Sequence, residues 1–192
     1  MSYTVNVNSC FIWDCGHSDN SLSTDRGIGG IGIASNGTGG TKNLNVHNTV
    51  VLGCSAHTFG NDYNEQTSAG TITWNIDYSF DSDNSIASRD TGAVSPLANV
   101  TITDGTPTTG NYCAVGDITT SPFDLRLVSH ADNDAQDYHS STTGAGLTTP
   151  STDIIGTSRP QNTNYDVGPF EITAGGPAPT GVGNKLLLMS VG

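Results

Sequence analysis

Two stretches of the chain superimpose without a gap: Asn6-Val-Asn-Ser-Cys-Phe-Ile-Trp-Asp-Cys15 and Asn45-Val-His-Asn-Thr-Val-Val-Leu-Gly-Cys54. Asn, Val and the final Cys recur in register, and the apolar run Phe11-Ile12-Trp13 is answered by Val50-Val51-Leu52. A short alternating segment, Gly30-Ile-Gly-Ile-Ala34, lies between them. Read as units of roughly 20 residues, each a strand, a turn and a strand, the spacing predicts coils that stack their apolar faces on one another. Such a repeat constrains the fold far more than it constrains the chemistry.

The composition agrees. Of 18 acids only Glu65 and Glu171 are Glu; the helix formers Glu, Lys, Gln and Met are scarce, whereas Asp, Asn, Gly, Ser and Thr abound. No window offers the i, i+3, i+4, i+7 apolar pattern over about twelve residues that an amphipathic helix needs. The 192 residues suffice for one domain with a core, and the expected class is all-β with long polar loops. A net charge of −12 argues against nucleic acid, which demands clustered Lys and Arg, and against anionic membrane surfaces. The longest apolar run, Lys185-Leu-Leu-Leu-Met-Ser-Val191, is too short to span a bilayer. Met1-Ser-Tyr-Thr-Val5 enters an alternating strand with no basic and apolar leader segments. The expectation is a protein used without secretion, or one whose leader is not part of this sequence.

Along the chain, residues 3–15 read as a first coil with a corner at Asn8-Ser9, and Gly29–Ala34 and Asn43–Cys54 as further coils. His17–Gly27 and Ser55–Ala69 read as loops. Gly70 to Phe80 alternates strictly, with Ile72, Trp74, Ile76, Tyr78 and Phe80 on one face, and predicts one continuous strand. Val100–Thr103, Ala114-Val115 and Leu125–Val128 predict later strands. Asp132–Pro150 has almost no large apolar residue and predicts a surface excursion. Residues 1–174 are expected to form the domain. Residues 175–192 are expected to form an arm: a Gly/Pro linker by composition, then an apolar tip of Leu186, Leu187, Leu188, Met189 and Val191 that would dock on a neighbouring subunit or on its own sheet. Cys10, Cys15, Cys54 and Cys113 lack zinc-type spacing. Cys15 and Cys54 are equivalent in the repeat, so buried thiols are favoured over a disulfide.

The segment Asp153-Ile-Ile-Gly-Thr-Ser-Arg-Pro, followed by Asp166-Val-Gly-Pro-Phe-Glu171, resembles the closing segment of right-handed parallel β-helix proteins of the pectin-lyase-like class. Asp153, Gly156, Arg159, Pro160, Asp166, Gly168 and Glu171 carry the match, with Pro169 standing where that class commonly has Ala. Asp124-Leu-Arg-Leu127 and Ala135-Gln-Asp137 resemble two further elements of the class. The resemblance implies a short right-handed parallel β-helix with long loops and a C-terminal extended arm. It also implies fewer coils than such proteins usually carry, and therefore a sheet edge to be capped by a loop, another chain or self-association.

Candidate sites follow. Arg159 can fork onto a carboxylate, with Asp166, Glu171 and Asp153 as candidates, and a structural clasp is favoured over a catalytic centre. β-Helix lyases hold Ca2+ on Asp side chains and β-helix hydrolases use paired Asp. Asp81 and Asp83 are weak Ca2+ candidates, because the Gly turn and distal acid of a calcium loop are missing. Asp132, Asp134 and Asp137 with His130 and His139 are read as a solvated loop rather than a metal site. Tyr63 and Tyr138, placed in loops, are the candidates for stacking on a glycan. Together these predict a non-catalytic structural protein of a virion, such as a phage head decoration, fibre or tail component. It would work as a homo-oligomer, a trimer by expectation, bound to other particle subunits, with no nucleic acid, membrane or cofactor. The alternative is an extracellular or cell-surface glycan-binding module, or a polysaccharide lyase or hydrolase.

Overall fold

The computed structural model describes residues 1–15, 30–35, 39–54, 62–67, 70–86, 96–107 and 110–173. The described residues form thirteen strands and no α-helix. Eight of them build three parallel sheets. The first holds β1 (Tyr3–Asn8), β4 (Thr41–His47) and β7 (Thr71–Asp77); the second holds β2 (Phe11–Trp13), β5 (Val50–Leu52) and β8 (Phe80–Asp81); the third holds β3 (Ile31–Ser35) and β6 (Tyr63–Thr67). The chain visits the sheets in one fixed order, first, second, third, and then begins again. Each return lays a new tier on the last, in register: Asn6 on Asn45 on Asn75, and Phe11 on Val50 on Phe80.

The repeat was therefore real, but its unit is larger than roughly 20 residues. One circuit takes three strands, and successive circuits separate Asn6 from Asn45 and Asn45 from Asn75 by 39 and 30 residues. The second circuit is shorter, which hides Asn75 from a gapless comparison.

Corners explain where strands end. Ser9, Asn48 and Tyr78 follow one another tier by tier, and each takes a left-handed backbone with φ of 51°. Their N–H groups continue the ladder: Ser9 N donates to His47 O at 3.0 Å and Asn48 N to Asp77 O at 3.2 Å. The predicted continuous strand from Gly70 to Phe80 is consequently two strands in two sheets, broken at Tyr78. Tyr78 keeps the sequence alternation, but its backbone has already turned.

Burial follows the layers. Leu44, Val46, Val51, Trp74, Ile76, Ile31, Ile33 and Tyr63 form one core among the three sheets. Val50 and Leu52 face the other way, into a second core with Phe80, Val100, Cys113, Val115, Val167, Phe170 and Ile172. Leu52 thus points away from Val51, not into the interior of the coil. Covered on both faces, β5 reads Val-Val-Leu without alternation, as a buried parallel strand does. β4 alternates because Asn43 and Asn45 face outwards, where the Asn6–Asn45–Asn75 amides bond in a file at 2.9 and 2.7 Å.

The second core is roofed by the C-terminal half. β9 (Thr101–Asp104) pairs in parallel with β10 (Tyr112–Asp117), which pairs antiparallel with β11 (Asp124–Leu127). Residues 132–150 are not a loose excursion. Asn133, Ala135, His139 and Thr149 are buried, and the hairpin of β12 (Thr143–Gly144) and β13 (Leu147–Thr148) lies against the end of β4. Polar side chains do the anchoring there: Asn133 Oδ1 accepts from Ala114 N at 3.0 Å, and its Nδ2 donates to Val128 O at 2.7 Å.

The four cysteines are free thiols. Burial pushes the Cys54 thiol up to about 12, and the Cys113 thiol higher still. Both are inert apolar fillers at neutral pH. Cys15 is exposed, contrary to the expectation that it lies inside with Cys54. The expected arm at 175–192, with Leu186, Leu187, Leu188, Met189 and Val191, lies outside the described residues, as do most of the two polar loops after Cys15 and Cys54.

Candidate functional site

Asp153, Arg159, Asp166 and Glu171 come together in one buried network. Arg159 Nε donates to Glu171 Oε2 at 2.9 Å, with both side chains at most 1 % exposed. The other two guanidinium nitrogens donate to backbone carbonyls, Nη1 to Gly168 O at 3.0 Å and Nη2 to Asp166 O at 2.5 Å. Of the three candidate carboxylates, Arg159 therefore takes Glu171. Asp166 offers it a carbonyl, while its own carboxylate accepts from Asp137 N at 2.7 Å and Ile172 N at 2.5 Å. Asp153 accepts from Ile155 N, Thr157 N and Glu171 N at 2.9, 2.7 and 3.1 Å. Glu171 Oε1 accepts from Gln161 N at 2.9 Å. Each carboxylate oxygen and each guanidinium nitrogen in the set has a partner within the chain.

Burial holds Asp166 up at about 7, with the charges of Glu171 and Asp137 adding to the shift, and it raises Glu171 as well; backbone N–H donors and Arg159 pull Glu171 back down. A buried Arg–carboxylate pair of this kind gives geometry more than net stability, because desolvation offsets much of the Coulomb gain.

The network reaches the tiers through Asn48, a residue that sequence reasoning passed over. Its amide nitrogen donates to Asp166 O at 3.1 Å and to His139 Nε2 at 3.0 Å; its oxygen accepts from Arg159 Nη2 at 3.2 Å and Ser9 Oγ at 3.1 Å. Its backbone oxygen accepts from Gly168 N at 3.0 Å. An Asn at a left-handed corner is the available signal, but only the tier register reveals the corner.

His139 sits beside it, its ring stacked on Tyr78 at 4.4 Å between centroids and on Tyr165 at 5.5 Å. With Nε2 accepting from Asn48, Nδ1 donates to Ser141 O at 2.9 Å. The ring is neutral, and burial, with His47 and Arg159 nearby, lowers its value to about 4. Fully buried His47 bonds Thr149 Oγ1 at 2.7 Å, while its Nδ1 has no partner among the described residues. A Cβ on Gly144 would stand 2.6 Å from that nitrogen, so the hairpin fills the space over it. Both histidines are buried, at 0 % and 3 % exposure.

The second candidate group is also inward. Asp81 is fully buried, with Oδ2 accepting from Ile86 N at 2.7 Å and Ser85 Oγ at 3.3 Å. Asp83 accepts from Ser85 N and Asp62 N at 3.0 and 3.1 Å, and Asp62 from Cys54 N at 2.8 Å and Ser82 N at 2.6 Å. These carboxylates tie the turn after β8 to the loop before β6. Asp81 Oδ1 is buried without a partner among the described residues, and burial lifts Asp81 to about 6. Among the described residues no three His, Cys, Asp or Glu side chains converge as metal ligands would.

Tyr63 corrects the glycan expectation. It opens β6 rather than lying in a loop, and its ring is fully buried, edge-on to Trp74 at 6.3 Å. No face of it is available to a sugar. Tyr138 is half-buried, its ring packed edge-on against Phe80 at 4.8 Å.

One exposed apolar patch lies at the first tier, while Phe123, Ile154 and Ile155 are exposed elsewhere. Val5 is 41 % exposed, whereas its register partner Leu44 is 2 % exposed. Tyr3 is exposed and Phe11, Ile12 and Trp13 half-exposed, while Val50, Val51 and Leu52 one tier up are wholly buried. Compared with known proteins, the chain matches no family model, no curated protein and no solved structure.

Proposed function

We propose that the chain is a non-catalytic assembly subunit, built as a short right-handed parallel β-helix and joined to copies of itself on a larger particle. The three parallel sheets, visited in fixed order with strands in register, support the β-helix reading. The closing segment supports a structural role for Asp153, Arg159, Asp166 and Glu171. A group whose polar atoms are all engaged within the chain has none left for a substrate, so it acts as a clasp holding the roof to the tiers. A virion is the particle proposed, because β-helix segments similar to this one occur in phage and environmental viral proteins.

The observation that carries the proposal is the first tier. Residues equivalent to wholly buried core positions are there left half-exposed, and among the described residues no strand pairs with the outer side of β1. Such an edge calls for a partner. The test compares light-scattering mass for the full chain and for a chain ending at residue 174, alongside a screen of acidic polysaccharides for cleavage with and without Ca2+. The proposal expects an oligomer that depends on residues 175–192 and no cleavage. A monomer indifferent to those residues that cleaves a polysaccharide would replace it with the glycan-enzyme reading.

A further inference from the structure

We infer that residues 139–149 form an acid-released latch on the tiers. They lie shut at neutral pH and swing off as His47 and His139 each take up a second ring proton, while the clasp keeps its hold. The latch is fastened by polar contacts. Of its residues only His139 and Thr149 are buried, and each meets the tiers through a histidine bond. His139 Nε2 accepts from the Asn48 amide nitrogen at 3.0 Å, and Thr149 Oγ1 bonds His47 Nε2 at 2.7 Å. Between them Ala145 N donates to Asp77 Oδ2, and Thr148 O accepts from Asn8 Nδ2 at 2.7 Å. The two imidazoles meet across the seam, with 5.7 Å between centroids.

Neither ring accommodates a second proton while the latch is shut. His139 Nδ1 already donates to Ser141 O at 2.9 Å, so a new N–H at Nε2 would face the Asn48 amide nitrogen. Asn48 could turn its oxygen to the ring only by presenting its NH2 to Arg159 Nη2, which donates to that oxygen at 3.2 Å. His47 Nδ1 has no partner among the described residues, and a Cβ on Gly144 would stand 2.6 Å from it. The hairpin thus occupies the space an acceptor would need, and a buried donor without one is costly.

The surrounding charges agree. Burial is the largest cause that disfavours a charged ring at both sites, and Arg159 adds to it. His47 further opposes a charge on His139, whereas the Ser141 carbonyl favours it; Asp77 favours a charge on His47 and is outweighed. Glu171 is paired with Arg159, the Asp166 carboxylate takes Asp137 N and Ile172 N, and Asp137 Oδ2 takes Asn162 Nδ2. Tyr78 and Tyr165 present ring faces to His139. The shut latch holds His139 near 4, against 6.5 when open. Its hold is therefore whole above pH 6.5 and is lost as pH falls towards 4. His139 alone multiplies the open fraction about 30-fold between pH 7.5 and pH 5, and His47, also lowered, adds to this. The clasp responds in the opposite sense. Asp166 is raised from 3.8 to about 7, so its contribution is lost as pH rises through 7 and grows on acidification. Release is local for that reason.

The test is amide hydrogen exchange of the full chain at pH 7.5 and pH 5, corrected for the intrinsic rate. It compares the parent with His139→Phe, His47→Gln and the double variant. Phe keeps the ring stack between Tyr78 and Tyr165, Gln keeps a donor to Thr149, and neither takes up a proton. The inference expects protection of residues 142–149 to fall by at least about 30-fold in the parent, with β10 and residues 165–172 unchanged or better protected. The fall should be smaller in each single variant and absent in the double. A segment equally protected at both pH values overturns the inference, as does a loss shared by β10, which is global unfolding. A fall that persists in the double variant also overturns it, because the protons would then act elsewhere. The parent's contrast between residues 142–149 and β10 decides the matter even where a variant fails to fold.

Discussion

At the scale of single residues, the buried charge of Arg159 depends on Glu171. Glu171→Gln keeps the shape and one acceptor but leaves a guanidinium in the interior without its counter-charge. Breaking a buried pair from one side costs about 3–5 kcal/mol, so the urea midpoint is expected to fall sharply; an unchanged midpoint would mean that the pair is solvated. Proton linkage gives a second residue-level prediction. His139 is neutral in the fold with a value near 4, against 6.5 when free. The unfolded chain therefore takes up the proton first, and the stability tied to a neutral His139 is whole above pH 6.5 and is lost as pH falls towards 4. Asp81 works the other way: its value rises from 3.8 to about 6, so its contribution is whole below pH 3.8 and is lost as pH rises to about 6. Stability measured across pH 4–7 should decline less steeply on the acid side in His139→Phe than in the parent, the rest of the decline coming from His47, which burial also lowers, and should gain at pH 7 in Asp81→Asn, which mimics the protonated acid. Asp153, Arg159, Asp166 and Glu171 could be singled out because the closing segment resembles a known motif, and the structure joins them in one network. Asn48 could not be, because its importance comes from a left-handed corner that is set by stacking and not by its neighbours in sequence.

At the scale of elements, the β12–β13 hairpin tests how closely the roof fits the tiers. A methyl group on Gly144 would lie 2.6 Å from His47 Nδ1 and 2.8 Å from Asp77 Cβ, at the paired ends of β4 and β7. Gly144→Ala is expected to cost about 1–3 kcal/mol, as overpacking does, seen as a lower melting temperature with the strand content unchanged. A neutral effect would mean that the hairpin sits further out. Elements differed in how well the sequence announced them. β4 and β7 alternate because one face is wet. β6, Tyr-Asn-Glu-Gln-Thr, has a single apolar residue and no alternation; it is a strand because β3 offers it a parallel partner, and that information lies some 30 residues upstream. The roof from 132 to 150 was misread for a related reason. It is held by Asn133, His139 and Thr149 through hydrogen bonds, so the lack of large apolar residues said nothing about its burial.

At the scale of the whole molecule, the tiers are unequal at their two ends. The roof and clasp cover the second sheet from one side, while β1 and β2 end the stack with apolar side chains in view. Fully burying a residue such as Val or Phe is worth about 1.5–3 kcal/mol, so covering this tier is a strong incentive to associate despite the net charge of −12. All-β class and stacking by repetition were readable from two aligned stretches. The three-sheet circuit was not, because its length changes from 39 to 30 residues. The most direct measurement is the light-scattering mass of the full chain, across a range of concentrations, beside Val5→Lys. The account predicts a whole-number multiple of 19.8 kDa for the parent and a single, equally folded subunit for the variant. A parent that remains a single subunit at every concentration would contradict it.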